Sequence, residues 1–201
     1  MWDMALLAHV PGLHLAAPRD EATLRESLRT AVSTDDAPTV VRYPKGALPE
    51  PLTALRRLGP ESEEPGRGGD PAHQDTPSVS VFDVVDVLLA NRSPAGGART
   101  LLVGVGAMAT QAYEVGRLLE QEGHAVTVVH PHWVIPAPAP LVTAAADVDV
   151  VVVAEDGLVD GGTGSQLRDA VDAYQAPHHP PGAPPPFRPL APTPPSAHQP
   201  T

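Results

Sequence analysis

Between residues 100 and 175, strand-like apolar runs alternate with helical stretches, and this alternation restricts the fold more than any other feature of the chain. The apolar runs cover residues 101–105, 125–129 and 148–154, and the helical stretches cover 109–121, 141–146 and about 166–174. The last apolar run is almost continuous, which is typical of a central strand that is covered on both faces. This order of elements predicts an α/β domain with a parallel sheet.

A shorter β-α-β unit is predicted over residues 13–46. Its strands are expected at 13–17 and 39–43, and the second strand is rich in β-branched residues. Asp20 is placed to cap the helix between them. Apolar residues recur on one face of that helix, which we expect to pack on the strands. They are Leu24, Leu28, Ala31 and Val32.

Proline and glycine divide the chain into four parts. The 201 residues include 26 prolines and 17 glycines, and eleven of the prolines lie in 177–201. Polar, Gly/Pro-rich stretches bury too little apolar surface to fold. We therefore predict a β-α-β part over 1–50, a partly disordered linker or insertion over 51–99, an α/β domain over 100–175 and a Pro-rich disordered tail over 176–201. Residues 79–90 are apolar enough for a strand or a short helix, and periodicity does not decide between them.

Composition excludes several classes of protein. The absence of cysteine excludes disulfides, thiolate metal sites and a cysteine nucleophile. The net charge of −11 argues against binding to nucleic acid, which needs clustered Lys and Arg. The apolar runs are strand-length and far short of the ~20 residues of a membrane span. The first residues do not resemble a signal peptide, so a cytoplasmic protein without nucleic-acid or membrane partners is expected.

Two glycine-rich turns are candidate ligand sites. Residues 104–109 fit G-x-G-x-x-A between a predicted strand and helix, but the next strand ends without the acidic residue of a dinucleotide site. We therefore favour a tight, closely packed turn there. Residues 161–164 precede a helix and follow Glu155 and Asp156 at the end of a strand. Their N–H groups could hold an anion, or the glycines could permit a close helix–strand or subunit contact; the sequence leaves both open.

Three further side chains were weighed as site residues. His130 and His132 would share one face of a strand, but no third ligand is evident, so a metal site is not favoured. Arg42 stands beside two valines on a predicted interior strand. A guanidinium is costly there unless it faces a carboxylate or a phosphate.

Several segments resemble the 1-deoxy-D-xylulose-5-phosphate synthase family of transketolase-like enzymes. In the first part these are MWD at 1–3, VPGL at 10–13, AAPRDE at 16–21 and DAPTVVRYPKG at 36–46. In the second part they are LVGVGAM at 102–108, VVAEDG at 152–157 and GGTGS at 161–165. The resemblance implies that 1–50 is the C-terminal half of a pyrimidine-binding domain and that 100–175 is an incomplete transketolase C-terminal-like domain.

The resemblance also implies an activity for the family. Its members are homodimeric transferases that condense pyruvate with glyceraldehyde 3-phosphate, with decarboxylation, on thiamine diphosphate and magnesium. The product feeds isoprenoid, thiamine and pyridoxal biosynthesis. The family's cofactor-binding domain, cofactor-activating glutamate and active-site histidine map upstream of Met1. The resemblance therefore implies no catalytic, cofactor-binding or metal-binding residue in this chain, and it assigns only Arg42, as a ligand of the substrate phosphate.

The chain departs from the family at two places. The family's PRWVKP segment is PHWVIP at 131–136, and a proline-rich run replaces a further strand and helix after about residue 170. Three hypotheses follow. The chain is a C-terminal fragment that is inactive alone and binds no cofactor alone, or the C-terminal subunit of a split thiamine diphosphate enzyme completed by an N-terminal chain, or a non-enzymatic α/β binding module.

Overall fold

The computed structural model describes residues 3–47, 49–60, 80–91 and 97–176 with their side chains, and the backbone of 187–190. Five helices lie in these ranges: α1 Asp3–Leu7, α2 Glu21–Ser33, α3 Met108–Gln121, α4 Ala139–Ala146 and α5 Thr163–Gln175. The strands are β1 His14–Ala16, β2 Thr39–Val41, β3 Arg56–Leu58, β4 Val85–Ala90, β5 Arg99–Gly104, β6 Ala125–Pro131, β7 Trp133–Ile135, β8 Val150–Ala154 and β9 Phe187–Leu190. None of the described helices is long and apolar enough to cross a membrane.

The larger sheet has the order β3-β4-β6-β5-β8-β9. Strands β6, β5, β8 and β9 are parallel, as the strand–helix alternation predicts, whereas β4 and β3 are added in antiparallel orientation. Helix α3 begins immediately after β5, since Gly104 allows the helix to approach the strand closely. A Cβ atom on Gly104 would lie 2.5 Å from the Ala109 Cα. The glycine turn at 104–109 is therefore a packing feature, as the sequence favours.

The structure differs from the predicted boundaries at two places. The region 51–99 contains β3 and β4, and β4 is a buried interior strand of the large sheet rather than part of a linker. The predicted tail contains β9, which pairs with β8 at the position where a further strand was expected to be missing. The remaining stretches of the linker and tail, at 61–79, 92–96, 177–186 and 191–201, lie outside the described residues.

The smaller sheet joins the two halves of the chain. Its order is β2-β1-β7, in which β1 and β2 are parallel and β7 is antiparallel to β1. Because β7 follows β6 of the large sheet, the first 50 residues pair directly with the C-terminal α/β unit. One apolar core continues through both parts and includes Leu15 and Val40 near Val134 and Leu141.

Helix α2 is capped as predicted but faces the other way. The Asp20 side chain accepts from the Thr23 N–H at 2.9 Å, which forms a capping box. The residues of α2 that are buried are Thr23 and Ser27, whereas Leu28 is 44% exposed and Val32 85% exposed. The expectation that the apolar stripe packs inward is therefore wrong for Leu28 and Val32, because small polar side chains fill the narrow space above the strands instead.

Candidate functional site

Arg42 lies where the first 50 residues meet the end of β8. Its Nε donates to Asp3 Oδ2 at 2.9 Å, and its Nη2 donates to the Asp156 carbonyl oxygen at 2.9 Å. The Asp156 carboxylate is 3.6 Å from the same Nη2, and the Arg42 side chain is only 15% exposed. The sequence argument that this arginine must face an anion is met here by carboxylates.

Asp3 contributes a charge-assisted hydrogen bond from the start of α1. Burial raises the Asp3 pKa, but the hydrogen bond and positive charge of Arg42 outweigh it, so the pKa lies below its usual value. Asp3 therefore stays ionised around neutral pH and fixes one edge of the guanidinium plane.

The loop after β8 is anchored by Glu155. The buried Glu155 carboxylate accepts the N–H groups of Thr163 and Gly164 at 2.8 and 2.9 Å, at the first turn of α5. Burial raises the Glu155 pKa, even though these hydrogen bonds and the charge of Arg42 act in the opposite direction. The negative charge at this helix N-terminus is thus supplied by the chain itself.

The glycines at 161–164 serve this contact. A Cβ on Gly162 would collide with the Leu158 carbonyl oxygen and would lie 2.7 Å from a Glu155 oxygen. One on Gly164 would lie 3.2 Å from the other oxygen of Glu155. Of the two readings that the sequence left open, the structure has the close helix–strand contact, and the N–H groups that could have held an external anion are taken by Glu155.

Helix α1 packs on the same loop. Met4 is buried, and its Sδ accepts the Thr163 hydroxyl at 3.7 Å. A Cβ added to Gly157 would lie 3.0 Å from the Met4 Cε. The loop that carries Asp156 is therefore held by α1 on one side and by α5 on the other.

A second cluster of charges, which the sequence analysis missed, is buried between the two sheets. Asp86 in β4 accepts from Arg19 at 2.7 Å and from Arg57 and His132 at 2.9 Å each. Glu26 of α2 completes the cluster by accepting two hydrogen bonds from Arg57, at 2.7 and 3.1 Å. A charged residue within the apolar run at 84–90 was the available signal.

Burial alone would raise the Asp86 pKa. The hydrogen bond and charge of His132, together with both arginines, overcome that effect and hold the pKa well below its ordinary value. Asp86 is therefore the charged centre of an ionic connection between the first 50 residues and the large sheet.

The two histidines do not form a metal site. The His132 imidazole donates to Asp86, whereas His130 Nδ1 donates to the Gly104 carbonyl oxygen at 3.0 Å. Burial first, and then the charges of His132 and Arg19, hold the His130 pKa well below 6.5. No group of three metal-binding side chains occurs among the residues whose placement the structure describes.

An open cavity of about 730 Å³ lies at the other end of the large sheet. Its lining includes Arg99, Ala125 and Asp147, at or near the amino ends of the parallel strands. Ligands of open α/β sheets bind outside the carboxyl ends of the strands. The cavity is therefore separate from Arg42, which lies at the carboxyl end of β8.

Two families of domains match the chain. Residues 90–197 match the family described as transketolase, C-terminal domain, and residues 1–51 match transketolase, pyrimidine binding domain. Curated relatives include the 1-deoxy-D-xylulose-5-phosphate synthases of Corynebacterium glutamicum, 42% identical over 176 residues, and of Kocuria rhizophila, 47% identical over 178 residues. These alignments cover 87% and 86% of this chain but 25% and 23% of the relatives. The chain thus spans about a quarter of their length.

Solved structures agree on the fold. A structure titled as a split gene transketolase, inactive beta4 tetramer, superposes with a TM-score of 0.61 at 23% identity, and covers 94% of this chain and 52% of that one. A transketolase mutant from Pichia stipitis superposes with a TM-score of 0.55 at 14% identity, and covers 80% of this chain and 21% of that one. At these identities the comparison concerns the fold alone.

Proposed function

The chain belongs to the transketolase C-terminal domain family, and on that premise we propose that it is the C-terminal part of a 1-deoxy-D-xylulose-5-phosphate synthase. The complete enzyme would condense pyruvate with glyceraldehyde 3-phosphate, with loss of carbon dioxide, on a route to isoprenoid, thiamine and pyridoxal precursors. The observation that carries the proposal is the 42–47% identity to named synthases across both parts of the chain. The proposal keeps the cytoplasmic location expected from the sequence.

Within that enzyme, Arg42 would bind the phosphate of the acceptor substrate. A guanidinium matches a phosphate group in a bidentate manner and stays charged at all relevant pH values. Its position at the carboxyl end of β8 supports this role, since ligands of α/β sheets bind at that end. Asp3 and Asp156 would hold the side chain until substrate arrives.

The described residues do not fit thiamine diphosphate and magnesium. The turn at Gly104 is closed by Ala109, and the helix N-terminus at Thr163 is taken by the Glu155 carboxylate. No metal-binding group of side chains lies in the described ranges. We therefore derive no step through the cofactor, and we propose that this chain is inactive unless another polypeptide segment supplies that site.

Activity of the chain alone is the first test. The purified protein is incubated with thiamine diphosphate, magnesium, pyruvate and glyceraldehyde 3-phosphate, and 1-deoxy-D-xylulose 5-phosphate is measured by mass spectrometry. We expect no product above a protein-free blank. Turnover above the blank would refute the proposed inactivity.

Complementation tests the positive half of the proposal. The chain is co-expressed with the part of the Corynebacterium glutamicum synthase that precedes the matching segment. We expect product formation, with a raised KM for glyceraldehyde 3-phosphate and a nearly unchanged KM for pyruvate in the Arg42→Lys variant. Equal changes in both KM values would contradict a phosphate-binding role for Arg42.

A second candidate is the C-terminal subunit of a split transketolase-type enzyme. The similarity of 94% of this chain to a chain titled as a split gene transketolase favours it. Here a separate N-terminal chain, rather than a preceding segment, would supply the cofactor site. Co-purification with the product of a neighbouring gene would support it, and an adjacent genome without such a gene would remove it. No feature of the described residues favours the non-enzymatic binding module.

A further inference from the structure

Arg42 is shared between two aspartates that hold it in different ways. Asp3 Oδ2 accepts the Nε hydrogen bond at 2.9 Å, whereas the Asp156 carboxylate stands 3.6 Å from Nη2, beyond hydrogen-bond distance. The hydrogen bond to Nη2 is accepted by the Asp156 backbone carbonyl instead. The charge of the Asp156 side chain therefore acts on the guanidinium without being needed to orient it.

Exposure separates the two carboxylates further. The Asp156 side chain is 50% exposed, and the Asp3 side chain is 40% exposed but has one oxygen that is fully buried. A half-exposed carboxylate at 3.6 Å can turn into solvent at small cost, because exposed ion pairs contribute only about 0.2–1 kcal/mol. Asp156 is thus the group that an incoming anion can displace.

The backbone at Asp156 is fixed although its side chain is not. Glu155 on one side is bonded to the first turn of α5, and Gly157 on the other side packs against Met4. Side-chain displacement at Asp156 therefore does not require the loop to move. The carbonyl that orients Nη2 remains in place while the carboxylate leaves.

We infer that the Asp156 carboxylate is an internal competitor for the anion that Arg42 binds, so that Asp156 sets the affinity of this site for phosphate. The inference rests on the proposed phosphate-binding role of Arg42. A phosphate group carries close to two negative charges at neutral pH, so it is both excluded by Asp156 and able to replace it. Removal of the Asp156 charge should strengthen phosphate binding, whereas loss of a residue that merely supports the structure should weaken it.

The test is a titration of the intact 201-residue protein with inorganic phosphate, followed through the Arg42 Nε–H signal by NMR. The Asp156→Asn variant retains the carbonyl that orients Nη2 and loses only the side-chain charge. We expect its Kd for phosphate to fall about two- to fivefold, which corresponds to the upper range of an exposed ion pair. The matched control is Asp160→Asn, which removes the same charge from an exposed position of the same loop, and its Kd should change less than 1.5-fold.

Salt and a third variant separate the possible outcomes. The difference between the wild type and Asp156→Asn should shrink as sodium chloride is raised, since it is electrostatic in origin. If Arg42→Gln abolishes binding but Asp156→Asn leaves the Kd unchanged or weaker, Asp156 is not a competitor and the role of Arg42 stands. If phosphate does not shift the Arg42 signal in the wild type or in Asp156→Asn, the phosphate-binding role itself is overturned, and the inference with it.

Discussion

Replacement of Asp86 by asparagine is expected to lower the free energy of unfolding by about 3–5 kcal/mol, the usual cost of removing one partner from a buried ion pair. The substitution preserves the shape of the side chain but withdraws the negative charge that faces Arg19, Arg57 and His132. Arg19 is 6% exposed, so water cannot compensate for the lost partner. For a chain of this size the change corresponds to a decrease in Tm of about 6–20 °C.

The assay is urea unfolding, followed by circular dichroism and analysed by linear extrapolation. The matched control is Asp147→Asn, which breaks a single pair with Arg99 at a side chain that is 80% exposed. That variant should lose at most about 1 kcal/mol. A loss for Asp86→Asn no larger than that of the control would refute the view that Asp86 organises the contact between the two parts.

Acid provides an independent check on Asp86. Because its pKa is lowered in the folded state, the unfolded chain takes up a proton near the ordinary value of 3.8 while the folded protein does not. The stabilisation is therefore complete above about pH 5 and is lost as the pH falls below 4, at up to about 1.4 kcal/mol per pH unit for this group. The Asp86→Asn variant should lack this share of the acid dependence.

Three further outcomes are expected. Gly162→Ala should cost about 1–3 kcal/mol of stability in a thermal melt because its Cβ would collide with neighbouring oxygen atoms, whereas Gly97→Ala, with open space around it, should stay within about 0.5 kcal/mol. The His130 imidazole should remain neutral from pH 8 to 5.5 by ¹⁵N NMR, and its stabilisation of the fold should decline below its ordinary pKa of 6.5 as the unfolded chain becomes protonated. Val32→Lys should leave the Tm nearly unchanged and Ser27→Leu should lower it, because the first side chain is exposed and the second is buried; the opposite order would mean that α2 faces the way its apolar stripe indicates.

The parallel sheet and the Asp20 cap could be predicted because both depend on local patterns. Continuous apolar runs give β5, β6 and β8, and a cap needs only its own helix. The placement of β4 could not be predicted in this way. Its six residues pair in antiparallel orientation with a strand about 40 positions later, across a polar stretch that reads as a linker.

The candidate site was predictable only in part. A guanidinium on an apolar strand indicates an anionic neighbour, but nothing local to Arg42 names Asp3 or Asp156, which come from opposite ends of the chain. The orientation of α2 failed for a related reason. Periodicity assigns the apolar face to the interior, whereas the available depth above the strands selects the small side chains of Thr23 and Ser27.

The pairing of β1 with β7 has a consequence for the order of events during protein synthesis. Leu15 pairs with Ile135, so one edge of the smaller sheet stays incomplete until 120 further residues have been made. At about 5–20 residues per second, the first strand waits roughly 6–24 s after its own translation. The amino-terminal segment would spend that interval with apolar side chains such as Leu13 and Leu15 uncovered, which makes it a binding target for ribosome-associated chaperones.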